Sequence, residues 1–153
     1  MAHEITTADQ LDYLMTVSTG FIDAYIIPVH KNMPMLLPQN IILSAIDTEI
    51  NADVIKWHNQ QIPTYNIADT SLEDGVALII EGENTWQRFA LICNEMPREI
   101  RLRISEAVDS TIPVEDLAVY QYVEIGSDLY QVPRVEYLQQ LASDKVKAKK
   151  SVE

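Results

Sequence analysis

The sequence is poor in the residues from which most reactive sites are built. Its one cysteine, Cys93, stands in the apolar run FALIC. Neither an internal disulfide nor a cysteine-based zinc site can therefore form, and the thiol reads as a core residue rather than a nucleophile. A chain of this kind suits a reducing compartment. Four glycines leave little material for a phosphate-cradling loop, and no GxGxxG, GxxxxGKS/T, HExxH or GxSxG pattern occurs. His3, His30 and His58 are scattered, and none stands beside a second histidine or a cysteine at metal-ligand spacing. Acid pairs exist, Glu73 with Asp74 and Glu115 with Asp116, but they fall in loops, where such pairs are usually solvated charge.

Basic residues are also scarce. Lys and Arg number 11 against 23 Asp and Glu, a net charge of −12 that repels phosphate backbones and anionic lipid heads and sets nucleic acid aside as a partner. No apolar run approaches the roughly 20 residues that cross a bilayer. The opening MAHEITTADQ has no basic start leading into an apolar stretch, so it does not read as a secretory signal. The expectation is a cytoplasmic protein with no catalytic residue, no cofactor and no metal.

What the chain does have is short apolar runs. With 153 residues and 47% hydrophobic content it can close one core, or two small barrels sharing a wall. ITTADQLDYLMTVSTG offers Thr and Asp caps, Leu11, Leu14 and Met15 at helical spacing and Gly20 as a stop, which predicts a helix over 5–20. From Ala24 the vocabulary turns β-branched. AYIIPV and LLPQNIILSAI read as two strands around HKNMP, and VIKWHNQQIPTYNI as a hairpin with Pro63 at an edge or bend. VALIIEGENTWQRFALIC is a strong hairpin. REIRLRI alternates as a strand with one wet face, SEAVDSTIPVED reads as a connection, and LAVYQYVEIGSDLYQVP is a further hairpin turning at GSD. RVEYLQQLASDKVKAKK carries Val135, Leu138 and Leu141 at spacings of three and a last turn rich in lysine, the pattern of a closing helix. The sum is a mainly β chain with a short helix at each end. It divides into an N-terminal extension over 1–23, a β unit over 24–141 and a charged tail over 142–153.

Four of these segments, in order, resemble the CheW family of chemotaxis coupling proteins. AYIIPVHKNMPMLLPQNIILSAI is similar to the family's opening strand pair, RFALICNEMPREIRL to its central pair, and LAVYQYVEIGSDLYQVPRVEYLQQL to its final hairpin and closing helix. The most specific segment is VIKWHNQQIPTYNI, which resembles the family's Asn-Leu-Arg-Gly followed by apolar-Pro-x-x-Asp-Leu. Lys56, Trp57, His58 and Asn59 take the places of the first four residues, Pro63 keeps the proline, and Asn66 and Ile67 replace the Asp and Leu.

The resemblance covers about 24–141 and implies two five-stranded barrels that share a hydrophobic interface, with no enzymatic activity. It also implies an adaptor that bridges the cytoplasmic tip of a chemoreceptor and the CheW-like regulatory domain of a CheA-like histidine kinase. Such a protein would meet the inner membrane only through its receptor. Trp57 and the Leu36-Leu37-Pro38 step are similar to the divergent members, of the PilI and ChpC kind, that accompany type IV pilus systems controlling twitching motility. The partner-binding residues implied are Ile42, Ser44, Trp57, His58 and Asn59. At two of them the family's charge is lost: its turn arginine falls on His58, which offers at most two donors, and its nearby glutamate falls on Ser44. For Ile42, core packing competes with an interface role, because alternate strand residues are commonly buried. A rival of another class is a small-ligand-binding barrel or an uncharacterised hydrolase that uses His58 with Asp53 or Asp69. A third possibility is an oligomerising module.

Overall fold

The computed structural model describes residues 20–152, so the helix expected over 5–20 lies outside the described residues. Within them the chain is mainly β, with eleven strands in two sheets and one helix at the C-terminal end. The strands are β1 (Phe21–Val29), β2 (Asn32–Pro38), β3 (Ile42–Glu49), β4 (Val54–Trp57), β5 (Gln60–Asn66) and β6 (Asp74–Ile80). They continue with β7 (Phe89–Cys93), β8 (Arg98–Arg103), β9 (Ala107–Asp109), β10 (Val119–Ile125) and β11 (Asp128–Pro133), and the helix is α1 (Val135–Val152). The six-stranded sheet has the order β8-β1-β2-β11-β10-β9, and the five-stranded sheet the order β3-β6-β7-β5-β4.

Several expectations hold at the level of single residues. The β6–β7 hairpin pairs Ile80 with Phe89 and Val76 with Cys93. In β8, Leu102 is buried while Arg101 and Arg103 are exposed. The β10–β11 hairpin turns at Gly126, whose φ of +64° is the conformation in which glycine carries no steric cost.

Other expectations are corrected. LLPQNIILSAI is not one strand. Pro38 ends β2, a single 3-10 turn over Gln39–Ile41 follows, and β3 then joins the other sheet. The first turn is shorter than HKNMP, since Val29 pairs with Asn32 and only His30 and Lys31 lie between. The connection after β8 contains β9, which pairs with β10 at the sheet's end. β1 starts at Phe21, before the change of vocabulary at Ala24. The closing helix expected over RVEYLQQLASDKVKAKK runs through Val152, but its buried face is Val135, Leu138, Ala142, leaving Leu141 exposed. Spacings of three and then four follow the 3.6-residue turn, whereas repeated threes drift off the face.

Burial explains why the apolar runs are unbroken. Every residue of Phe89–Cys93 is buried, because β7 lies between β6 and β5 and is covered on both faces. Leu78, Ile80, Phe89, Leu91 and Cys93 join Ile27, Met35 and Leu37 of the other sheet and Val135, Leu138 and Ala142 of α1 in a central core. The alternate residues Ala77, Ile79, Ala90 and Ile92 pack with Ile50, Ile55 and Ile62 in a second core belonging to the five-stranded sheet alone. Ala24, Ile26, Leu36, Leu102 and Tyr130 form the counterpart in the six-stranded sheet. Each sheet thus has a core of its own and shares one with its neighbour. α1 is fastened to this arrangement by Lys145, whose Nζ donates to the carbonyl of Thr64 at 2.8 Å and to its hydroxyl at 2.7 Å.

Candidate partner-binding site at one end of the five-stranded sheet

The hairpin β4–β5 pairs Trp57 with Gln60, leaving a two-residue turn of His58 and Asn59. Their φ values are +47° and +63°. A two-residue turn with φ positive at both positions matches the right-handed twist of the flanking strands, and Asn and His are among the few non-glycine residues that adopt it readily. Both side chains are exposed. The His58 ring stacks on Trp57 with centroids 4.0 Å apart and planes 20° from parallel.

Beneath the stack lies Arg88, whose guanidinium carbon is 5.3 Å from the centre of the Trp57 ring. Its Nε donates to Glu81 Oε1 at 3.2 Å, and its Nη1 donates to Gln60 Oε1 at 3.2 Å. Gln60 Nε2 in turn donates to the carbonyl of Thr85 at 3.0 Å. The hairpin tip is therefore tied to the 81–88 connector of β6 and β7. Glu81 carries the chain of contacts on, donating its backbone N–H to the carbonyl of Ile41 at 2.8 Å, just before β3. The register places Ile42 opposite Ile80 and Ile80 opposite Phe89, so the start of β3, the connector and the β4–β5 tip occupy the same end of the sheet.

The expected site residues are thus brought to one end but not to one face. A bulge between Ile42 and Ser44 breaks the alternation of β3. Ile42 consequently packs against the central core, while Ser44 lies opposite Ile79 and follows the inner core of the five-stranded sheet. Both are half-buried; Leu43, Ala45, Asp47 and Glu49 are the exposed positions of this edge strand. Trp57 is half-buried against the inner core, with His58 and Arg88 on its ring. Trp57→Ala is accordingly expected to cost about 2 kcal/mol, less than a fully buried tryptophan, measurable as a fall in the urea midpoint.

The hydrolase pairing does not assemble. The four residues of β4 lie between His58 and Asp53, five steps or roughly 16 Å of extended chain, and β5 carries Asp69 to the far end of the sheet. Asp69 instead lies 3.9 Å from His30 and accepts the hydroxyl and amide N–H of Ser71, which hold its carboxyl below the usual carboxylate range. Cys93 is fully buried, and burial pushes its thiol up to about 11, far from the thiolate a nucleophile needs. Among the described residues no group of three or more His, Cys, Asp or Glu could hold a metal ion, and no helix is long and apolar enough to cross a membrane.

Sequence reasoning overlooked Arg88, Gln60 and Glu81, which join the tip to the connector. The available signal was a cation in the strand-flanking stretch ENTWQRF, two residues after Trp86. No family model matches this sequence, and no curated protein matches it.

Proposed function

We propose that this protein is a non-catalytic adaptor of chemosensory signalling, which couples a chemoreceptor's cytoplasmic tip to a CheA-like histidine kinase by protein contacts alone. One observation carries the reading: the segment most similar to the coupling-protein family, VIKWHNQQIPTYNI, forms a hairpin whose two-residue tip is exposed and braced through Trp57 and Arg88. A scaffold needs such a fixed, reversible contact surface and no reactive group. In this reading the chain forms two five-stranded barrels sharing a hydrophobic interface, with the short β9 as an additional edge strand of the six-stranded sheet. What supports that finer description is the division of the core into one central part and one part inside each sheet. The adaptor would work in the cytoplasm and reach the inner membrane only through its receptor. Trp57 in place of leucine supports a place among the systems that govern type IV pili and twitching motility.

The test is binding to a receptor cytoplasmic fragment and to the kinase regulatory domain, measured by calorimetry on Asn59→Asp and His58→Asp. Aspartate is chosen over glutamate because it tolerates the positive φ at both positions. Each variant is expected to bind at least about tenfold more weakly, with stability within about 0.5 kcal/mol for Asn59→Asp, as at exposed positions generally. Normal binding by both folded variants would move the interface off this tip and remove the main link to receptor coupling.

A further inference from the structure

We propose that this chain joins copies of itself head to tail, the edge strand β3 of one copy adding to the edge strand β8 of the next; the inference is independent of the adaptor reading. Both strands end a sheet, β3 pairing only with β6 and β8 only with β1. Hydrogen-bonded and non-hydrogen-bonded pairs alternate along an antiparallel ladder, so one bond fixes which residues face the open side. The N–H of Ile50 donates to the carbonyl of Glu73 at 2.9 Å, which turns the backbone groups of Ala45, Asp47 and Glu49 outward on β3. The N–H of Ile104 donates to the carbonyl of Gly20 at 3.1 Å, which does the same for Glu99, Arg101 and Arg103 on β8. All six residues are also exposed, whereas Ile46 and Thr48 between them are half-buried and Leu102 is buried. The carbonyl of Glu49 accepts from Ala52 and Thr48; the other outward backbone groups meet no partner among the described residues.

An open edge is a template for another strand, and the charges here select which one. The charged residues of β3 are all acids, Asp47 and Glu49, while β8 carries Arg98, Arg101 and Arg103 against Glu99, in a chain where acids outnumber bases 23 to 11. Neither Asp47 nor Glu49 forms an ion pair among the described residues. Arg101 and Arg103 stay more than half exposed and reach their nearest acids, Asp23 and Glu106, only at 3.9 Å. Antiparallel addition lays exposed residues over exposed residues, whereas a parallel strand would set Asp47 on the face of buried Leu102. With Arg103 opposite Asp47, Arg101 falls opposite Glu49, giving two cross-strand pairs of opposite charge. β3 on β3 would oppose acid to acid, and β8 on β8 would join two strands of net positive charge. The remaining edges offer less, since β4 carries the single charge of Lys56 and β9 spans three residues. Because the two edges differ, the contact is heterologous, and each copy added leaves a free edge at either end.

Sedimentation equilibrium of the full chain is expected to give a mass that rises with concentration at low salt and falls toward the monomer as salt screens the pairs. The double variant Asp47→Lys with Glu49→Lys, and the double variant Arg101→Glu with Arg103→Glu, should each associate at least about tenfold more weakly at an unchanged circular dichroism spectrum. An equimolar mixture of the two should recover association, because the basic β3 of one then meets the acidic β8 of the other. Asp47→Lys and Arg103→Glu, singly and mixed, replace the double variants if either of those fails to fold. Wild-type protein that stays monomeric at every concentration and salt overturns the proposal. So does a mixture of folded variants that recovers nothing, and so does weakening confined to the arginine variant, which would assign the contact to paired β8 strands.

Discussion

Leu91→Ala is expected to destabilise the protein by about 3 kcal/mol, read as a fall in the urea midpoint at unchanged m-value or as a melting temperature lower by about 6–12 °C. Leu91 is fully buried at the centre of β7, paired with Leu78 of β6 on one side and Tyr65 of β5 on the other. Its side chain belongs to the central core, where strands of both sheets and the face of α1 meet. A cavity opened there is bounded by paired backbone and cannot close by moving one loop, which keeps the cost well within the range for such truncations. A loss below about 1 kcal/mol would show that β7 is not the shared strand of the two cores.

Gly75→Ala should cost nearly as much, about 2–3 kcal/mol, for the opposite reason. A methyl group at Gly75 would lie 2.5 Å from the carbonyl oxygen of Cys93 and 2.8 Å from Cγ1 of Ile50. The first of these is backbone, so relief requires parting β6 from β7 beside the Val76–Cys93 pair. Gly126→Ala is the control, because a Cβ there meets nothing within 4 Å and only the φ of +64° resists it, a cost of about 1 kcal/mol. Equal losses in the two variants, by chemical denaturation, would show that the β6–β7 contact at Gly75 relaxes freely.

Hairpins were the most legible part of the sequence, because their evidence is local. VALII and FALIC around a polar connector, and a Gly-containing turn between QYVEI and DLYQVP, need only neighbouring residues to be recognised. Which sheet a strand enters is not local. LLPQNIIL is apolar on both sides of Pro38–Gln39–Asn40, and nothing in its composition marks that the chain crosses there from one sheet to the other. β9 was missed because three residues at a sheet's end carry no period. The tip at His58 and Asn59 could be located from its polarity, but Arg88 reaches it from a connector some thirty residues along, a proximity created by the parallel pairing of β5 with β7. The face reversal between Ile42 and Ser44 depends on one bulge, which period-two reasoning overlooks by construction.

The six-stranded sheet draws its strands from both flanks of the five-stranded one, with β2 lying parallel to β11 at Met35 and Gln131. During synthesis all five strands of the 42–93 unit leave the ribosome before β8 exists, so that unit can close while the chain is still growing. β1 and β2 cannot. β1 meets β8 only once Arg103 is made, and β2 waits from Pro38 to Pro133, 133 − 38 = 95 residues or about 5–20 s at ordinary elongation rates, for β11. The nascent protein therefore passes through a stage in which one half is finished and the other is an adhesive β-hairpin. That interval, rather than the finished fold, is where a chaperone would find its substrate.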